Sequence, residues 1–289
     1  MKSNIILFLC ISLSLACQDG DKANSSELLG NDYRLFKNTR AWTLAKAVQD
    51  GNTTKIKNEV VTNKINPDFR EPKFGNTLLM LAIMNSNFAS AKALLQLGSD
   101  PNLGNTYRGT SAMIEAAEKK DARFLRLLLK YNGDPNSIER GSKTGGDIVI
   151  ANTLISAIRY LDDNSLERVK ILVEAGADIN YYNENHIKTP LSKAILSNNM
   201  DVALYLLEKG ANYHLPIYTQ MDGHKVYILE ALRKCLMDIN SETYNNKLDV
   251  ISFLKYKGLD YGKEPVPETI KKEIVERYPK TWAEYLTEY

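Results

Sequence analysis

The chain has 289 residues, 44% hydrophobic and 25% charged, a mixture that excludes disorder over most of its length and a polytopic membrane protein. Thirty-seven Lys and Arg against 35 Asp and Glu leave a formal charge of +2, which offers no electrostatic footprint for nucleic acid or an anionic membrane surface. Three His and three Cys, all scattered, are a poor stock for metal sites or for thiol and imidazole catalysis.

Met1 and Lys2 give a short positive start, and Ile5 to Leu15 is an almost unbroken apolar run that ends at Ala16-Cys17. This is the three-part form of a secretory signal, and the run is too short to span a bilayer stably. Leu13-Ser14-Leu15-Ala16-Cys17 resembles the lipobox of bacterial lipoproteins, with Ser14 standing where Leu is usual. The resemblance implies loss of residues 1–16 and a lipid on Cys17. Gln18, in place of Asp, next to that Cys implies sorting to the outer membrane, facing the periplasm. Ser14 and Ala16 also suit ordinary signal peptidase, so a soluble periplasmic form is the alternative. Residues 17–32, mostly polar, are expected to form a flexible tether, and Cys235 then remains as the one other thiol, without a disulfide framework.

The remainder repeats itself. A short apolar helical turn recurs six times around Ala47, Ala82, Ala116, Ala157, Ala194 and Ala231, at spacings of 35, 34, 41, 37 and 37 residues. Each turn is followed by a second apolar helical pattern, from Ile56 to Val61 in the first copy through Val250 to Leu254 in the last. Most second helices reach a breaker such as Gly98-Ser99-Asp100-Pro101-Asn102 or Gly176-Ala177-Asp178-Ile179-Asn180, where Gly suits a left-handed C-cap and Asp or Asn bonds its own turn. Thr189-Pro190-Leu191, Gly75-Asn76-Thr77-Leu78-Leu79 and the Gly176 to Asn180 closing resemble the ankyrin repeat family over about Trp42 to Tyr261.

That resemblance implies an all-α ankyrin repeat solenoid of about six helix pairs with finger turns, spanning 33–261, stabilised by nearest-neighbour stacking. Tyr33 to Arg40 is expected as an extra helical turn, Met237 to Lys247 as a long insertion between the last two repeat helices, and Glu139 to Ile150 as an unusually long finger. Residues 262–289 are expected to cover the last repeat with a helix near Ile270 to Leu286 that starts after Pro265-Val266-Pro267.

The sequence holds no G-x-S-x-G, H-E-x-x-H, C-x-x-C, Walker-type loop or G-x-G-x-x-G. Gly141 to Gly146 lacks phosphate-loop spacing and reads as a finger extension, and His186, His214 and His224 lack metal-ligand spacing. Asp162-Asp163-Asn164 reads as a widened loop between helices, and Cys235 as a small buried hydrophobe. No enzyme activity, catalytic residue, metal or cofactor is expected. Binding is the activity expected, to another protein through the concave face that the family's fingers and inner helices form. Phe69, Arg70, Phe74, Tyr107, Arg108, Tyr181, Tyr182, His186, Tyr213, His214 and Tyr218 supply the hot-spot residue types on the inferred fingers. Location and architecture together point by analogy to an immunity protein that blocks a secreted toxic effector, with an envelope scaffold or chaperone-like adaptor as the alternative.

Overall fold

The computed structural model describes residues 27–140, 151–159, 162, 164–182 and 189–289. Cys17, His186 and the Gly141 to Gly146 segment lie outside them. Within the described residues the chain folds as six stacked helix pairs. The first members are α1 (Trp42–Gln49), α3 (Leu78–Met84), α5 (Ala112–Ala117), α7 (Thr153–Ala157), α9 (Pro190–Leu196) and α11 (Ile228–Lys234). Their partners are α2 (Thr53–Val61), α4 (Phe88–Gln96), α6 (Arg123–Lys130), α8 (Ser165–Glu174), α10 (Met200–Glu208) and α12 (Glu242–Tyr256). First helices touch first helices and second helices touch second helices from one pair to the next, which is the quasi-one-dimensional stacking that the repeat spacing predicts.

Each anchoring Ala from Ala47 to Ala194 is fully buried, and Ala231 nearly so. A side chain of one carbon lets adjacent inner helices approach, while Leu44, Leu79, Met113, Leu154 and Leu191 fill the space between them. The helices start where the sequence supplies an acceptor for their free N–H groups. Thr77, Ser111, Asn152 and Thr189, one per repeat, accept from the amides of Met80, Ile114, Ile155 and Ser192. Termination follows the expected breakers with one exchange of roles. Gly176 takes the left-handed conformation (φ +91°) after α8, but after α6 it is Asn132 that does so (φ +62°). Gly133 is required there for a different reason, since a Cβ would stand 2.4 Å from the Met113 sulfur and 2.9 Å from the Leu128 carbonyl oxygen.

Between the pairs runs a ladder of side-chain bonds with the same register as the repeat. The Asp100 amide donates to Asp68, that of Asp134 to Asn102, that of Asp178 to Asn136, and that of Asn212 to Asn180, at 2.7 to 3.1 Å. The Asp of each turn closes it locally, as when Asn102 N–H donates to Asp100 Oδ1 (2.8 Å). The Asp-x-Asn sequence therefore ties each finger to the next as well as shaping it.

Four expectations differ from the structure. The Met237 to Lys247 insertion is half helix, because Ser241 caps at Glu242 and the added turns extend α12 to 15 residues. The C-terminal cap is two helices, α13 (Glu268–Arg277) and α14 (Trp282–Glu288), since Pro279 has no N–H to continue the first and restricts Tyr278 before it. Tyr278 and Tyr285 stack across the break (4.5 Å), and the Tyr285 hydroxyl reaches the Met237 carbonyl, so the unit still covers the end of the array. The finger after α10 is a short hairpin, β1 (Tyr218–Thr219) with β2 (Lys225–Val226), the one named sheet among the described residues. Lastly, residues 27–32, the end of the expected tether, are held against the first two repeats and lead into a 3-10 turn at Tyr33–Phe36, with Leu28 buried.

The fourth helix pair is irregular. α7 ends at Ala157, and Arg168 of α8, fully buried, donates from one guanidinium nitrogen to the Ala157 carbonyl (2.9 Å), Asp162 (2.8 Å) and Ser165 Oγ (3.3 Å). Burial works to raise the Asp162 carboxyl, but hydrogen bonds from Arg168 and the Asn164 amide hold it below the usual carboxylate range. The widened loop expected at Asp162 is thus built on a buried ion pair.

Candidate functional site: a charged groove between the fingers and the inner helices

The residue before each anchoring Ala reads Lys46, Leu81, Glu115, Ser156, Lys193, Glu230, of which Leu81 and Ser156 are buried and the four charged ones keep some exposure. At the centre of the array these positions and the adjoining helix ends carry charge. Glu118 at the end of α5 meets Arg159 across the next repeat (3.8 Å), and Lys193 of α9 lies within electrostatic reach of both. The fingers close the other side. Arg108 pairs with Glu139 of the following finger (3.1 Å), and Glu139, itself buried, also accepts from Thr110 Oγ1 (2.8 Å). Glu115 sits between the two rows and feels Arg108, Glu139, Glu118 and Lys119.

Burial, reinforced by the charges of Glu118 and Glu139, pushes the Glu115 carboxyl up to about 7 against the pull of Lys119 and Arg108. Burial likewise depresses the Lys193 ammonium, with Arg159 acting in the same direction. An acid whose folded value is raised holds its proton longer in the native state, so stability falls as pH rises from the unfolded value of 4.5 through about 7. Glu115→Gln is therefore expected to raise the Tm at pH 8 and to leave it unchanged near pH 4, as measured by circular dichroism melts. An equal gain at both pH values would contradict the assignment.

Most of the expected contact residues serve the fingers before they serve a partner. Phe69 is half-buried against Phe36 (6.2 Å) with the Arg40 guanidinium over its ring (5.4 Å). Phe74 stands edge-on to Tyr107 (5.9 Å), and its carbonyl accepts from the Thr106 and Tyr107 amides. Arg108 is committed to Glu139. Tyr213 packs on His214 with the rings tilted (4.3 Å, 41°), Tyr218 lies under Lys234 (5.7 Å), and Tyr181 is half-buried, which raises its hydroxyl. Arg70, Tyr107, Tyr182 and His214 remain exposed, with Tyr107 47% and Tyr182 45% accessible. Arg70 borders a second cleft, of about 690 Å³, that runs under the fingers to Ile138 and Arg140.

The fingers were found from residue type, but Glu115, Glu118, Arg159 and Lys193 were not singled out. A signal for Glu115 and Lys193 exists in their shared offset, one residue before the anchoring Ala, where a charged residue in place of Leu81 or Ser156 stands out.

His224 pairs with Glu230 (2.9 Å), which also receives Lys234 (2.7 Å), and no group of three or more His, Cys, Asp or Glu among the described residues is placed to hold a metal. Cys235 is half-buried, its thiol pushed up to about 11 by burial, and its carbonyl accepts from Lys247, whose ammonium burial pushes down to about 7. Among the described residues no helix is long and apolar enough to cross a membrane.

Family models for ankyrin repeats match residues 44–139, as three copies, and 186–215, as one. The fold is an ankyrin repeat solenoid. Two solved structures superpose on three quarters of it. The ankyrin repeat protein EF0377 gives a TM-score of 0.51 at 25% identity, covering 74% of this chain and 96% of its own. The ankyrin repeat domain of Bcl-3, a member of the IkappaB protein family, gives 0.53 at 22% identity, covering 75% and 86%. The ankyrin repeat and KH domain-containing protein mask-1 of Caenorhabditis elegans is 31% identical over 145 residues, half of this chain but 5% of that much longer protein. The matched segments take in the helix pairs of α1 to α6 and of α9 and α10. The pairs left outside are the two that depart most from the repeat, α7 with α8 around the buried Arg168, and α11 with the lengthened α12. Ankyrin repeats are a scaffold for binding other proteins, and the fingers of this one carry exposed Tyr107 and Tyr182.

Proposed function

We propose that this solenoid is an exported inhibitor, which binds a toxic effector enzyme in its groove and blocks it at the periplasmic face of the outer membrane. The observation that supports binding is the central groove itself. Glu115, Glu118, Arg159 and Lys193 bring desolvated and paired charges together, and Tyr107 and Tyr182 stand exposed on the fingers, a mixture that suits a protein interface with aromatic anchors and charge matching. Formal charge near zero leaves specificity to local complementarity. Export is supported by the apolar run from Ile5 to Leu15 and by Cys17 at its end.

Location and role are tested separately. With a lipid on Cys17, wild type fractionates with the outer membrane, and Cys17→Ala is expected to move to the soluble or inner-membrane fraction with slower processing. Identical fractionation and gel mobility of the two would leave the soluble periplasmic form in its place. For the role, periplasmic expression of an effector together with this protein is expected to restore growth. One tight partner supports inhibition, whereas several partners of moderate affinity would support an envelope adaptor.

A further inference from the structure

Residues 27–32 lie in the first part of the groove as a short strap. The Lys73 ammonium donates to the Leu28 carbonyl (2.9 Å), the Asn76 amide to the Gly30 carbonyl (3.0 Å) and the Asn85 amide to the Asn31 carbonyl (2.8 Å). Lys73 and Asn76 belong to the first finger and Asn85 ends α3, so the strap crosses from the finger row to the helix row. Its side chains alternate: Leu28 is buried at 6% exposure and Leu29 points out at 73%. Gly30 is where the strap comes closest, for a Cβ there would stand 3.3 Å from the Asn76 amide. Beside it an open cleft of about 940 Å³ extends over Trp42, Lys46 and Gln49.

These contacts hold the main-chain carbonyls of a segment that turns at Gly30-Asn31, where the Asp32 amide donates to the Leu29 carbonyl (3.0 Å), with one aliphatic side chain buried and a glycine at the close approach. We propose that this end of the groove is a receptor for a turn-forming polypeptide segment of the pattern aliphatic-x-Gly, and that residues 27–32 are its resident occupant, exchanged for such a segment of the partner. The proposal rests on the groove as the binding face and adds what kind of chain it takes. Lys73, Asn76, Asn85 and one leucine hold the strap, Asn85 on both the Asn31 carbonyl and, through its Oδ1, the Asn31 side-chain amide (3.4 Å), few enough contacts for a competing segment to replace them, and the adjoining cleft gives that segment room to continue over α1. A strap that served only to cap the array would stay in place when a segment of the same pattern was supplied.

The probe is a fluorescein-labelled synthetic peptide with the sequence of residues 25–34, titrated by anisotropy into the full chain. Leu28→Ala with Asn31→Ala loosens the strap and is expected to bind the peptide at least tenfold more tightly than the unaltered chain. Adding Asn76→Ala and Asn85→Ala is expected to abolish that binding. A peptide with Ala at the place of Leu28 is expected not to bind, and one with Ala at the place of Leu29 to bind normally. Should the loosened variant lose helicity, the unaltered chain supplies the second reading, in which excess peptide is expected to speed tryptic cleavage after Arg34 as the strap is released. Equal binding with and without the strap contacts, or cleavage unaffected by peptide, would overturn the proposal. The assay contains no effector, so its failure leaves the inhibitor role to its own tests, and failure of those leaves the peptide result standing.

Discussion

Asp162→Ala is expected to destabilise the protein by about 3–5 kcal/mol, the range for removing one partner of a buried ion pair. Arg168 has no exposed surface, Asp162 only 5% of its side chain, and two of the three guanidinium nitrogens have no hydrogen-bond partner as it is. Without the carboxylate the cation stays buried with only the Ala157 carbonyl and Ser165 hydroxyl to face it. The position is in the middle of the array, where coupling passes only between neighbours, so urea unfolding is expected to lose cooperativity and split into two steps. The double variant Asp162→Ala, Arg168→Met is expected to recover most of the loss, because replacing both charges removes the desolvation penalty along with the attraction. The pair's contribution has a pH window. A carboxyl with a lowered folded value adds stability above its unfolded value near 3.8, and that stability disappears as pH falls through the folded value. A single-variant loss below 1 kcal/mol would mean that the loop relaxes to hydrate Arg168.

The second large effect concerns binding. Changing Arg70, Tyr107 and Tyr182 together to Ala is expected to weaken partner binding by roughly a thousandfold, taking each as a hot spot worth about 2 kcal/mol and allowing for incomplete additivity. All three are exposed, so the melting curve is expected to stay within about 1 kcal/mol of wild type. Arg108 is left out deliberately. Its loss would strand the buried Glu139 carboxylate and disorder two fingers, so a binding defect in that variant would report on folding as much as on contact. Titration calorimetry against the partner, beside a thermal melt of the same sample, separates the two readings. Unchanged affinity in the triple variant would move the contact to the inner-helix charges at Glu115, Glu118 and Lys193.

The repeat was legible because helix pairing of this kind writes itself into the chain at every copy. The anchoring Ala, the N-cap five residues before it and the turn-forming Asp or Asn recur for separate physical reasons that agree in register. What escaped notice depends on contacts that occur once. Nothing periodic marks Arg168, whose partner Asp162 lies six residues back. The strap is polar and short, and only Leu28 hints that it docks. Pro279 breaks the helix while Ile270, Ile274, Tyr278, Trp282, Tyr285 and Leu286 keep a roughly helical apolar spacing across it, and both matter, since the two helices meet again through Tyr278 and Tyr285. For the groove, residue type alone favoured aromatics on fingers, and about half of those hold the fingers together. Tyr and Phe satisfy both uses, so burial was needed to tell Phe69 and Phe74 from Tyr107 and Tyr182.

The most direct measurement places a photo-crosslinking amino acid at position 107 in the groove and, in a second strain, at exposed Lys170 on α8, away from it. After irradiation of intact cells, the captured protein is identified, purified and assayed with added solenoid. The expected result is one exported enzyme captured from position 107 and none from position 170, with its activity falling to zero at one equivalent of wild-type solenoid and persisting with the Arg70, Tyr107, Tyr182 variant. Capture from position 170 alone, or a captured enzyme that keeps full activity when saturated with wild type, would contradict an inhibitor that works through this groove.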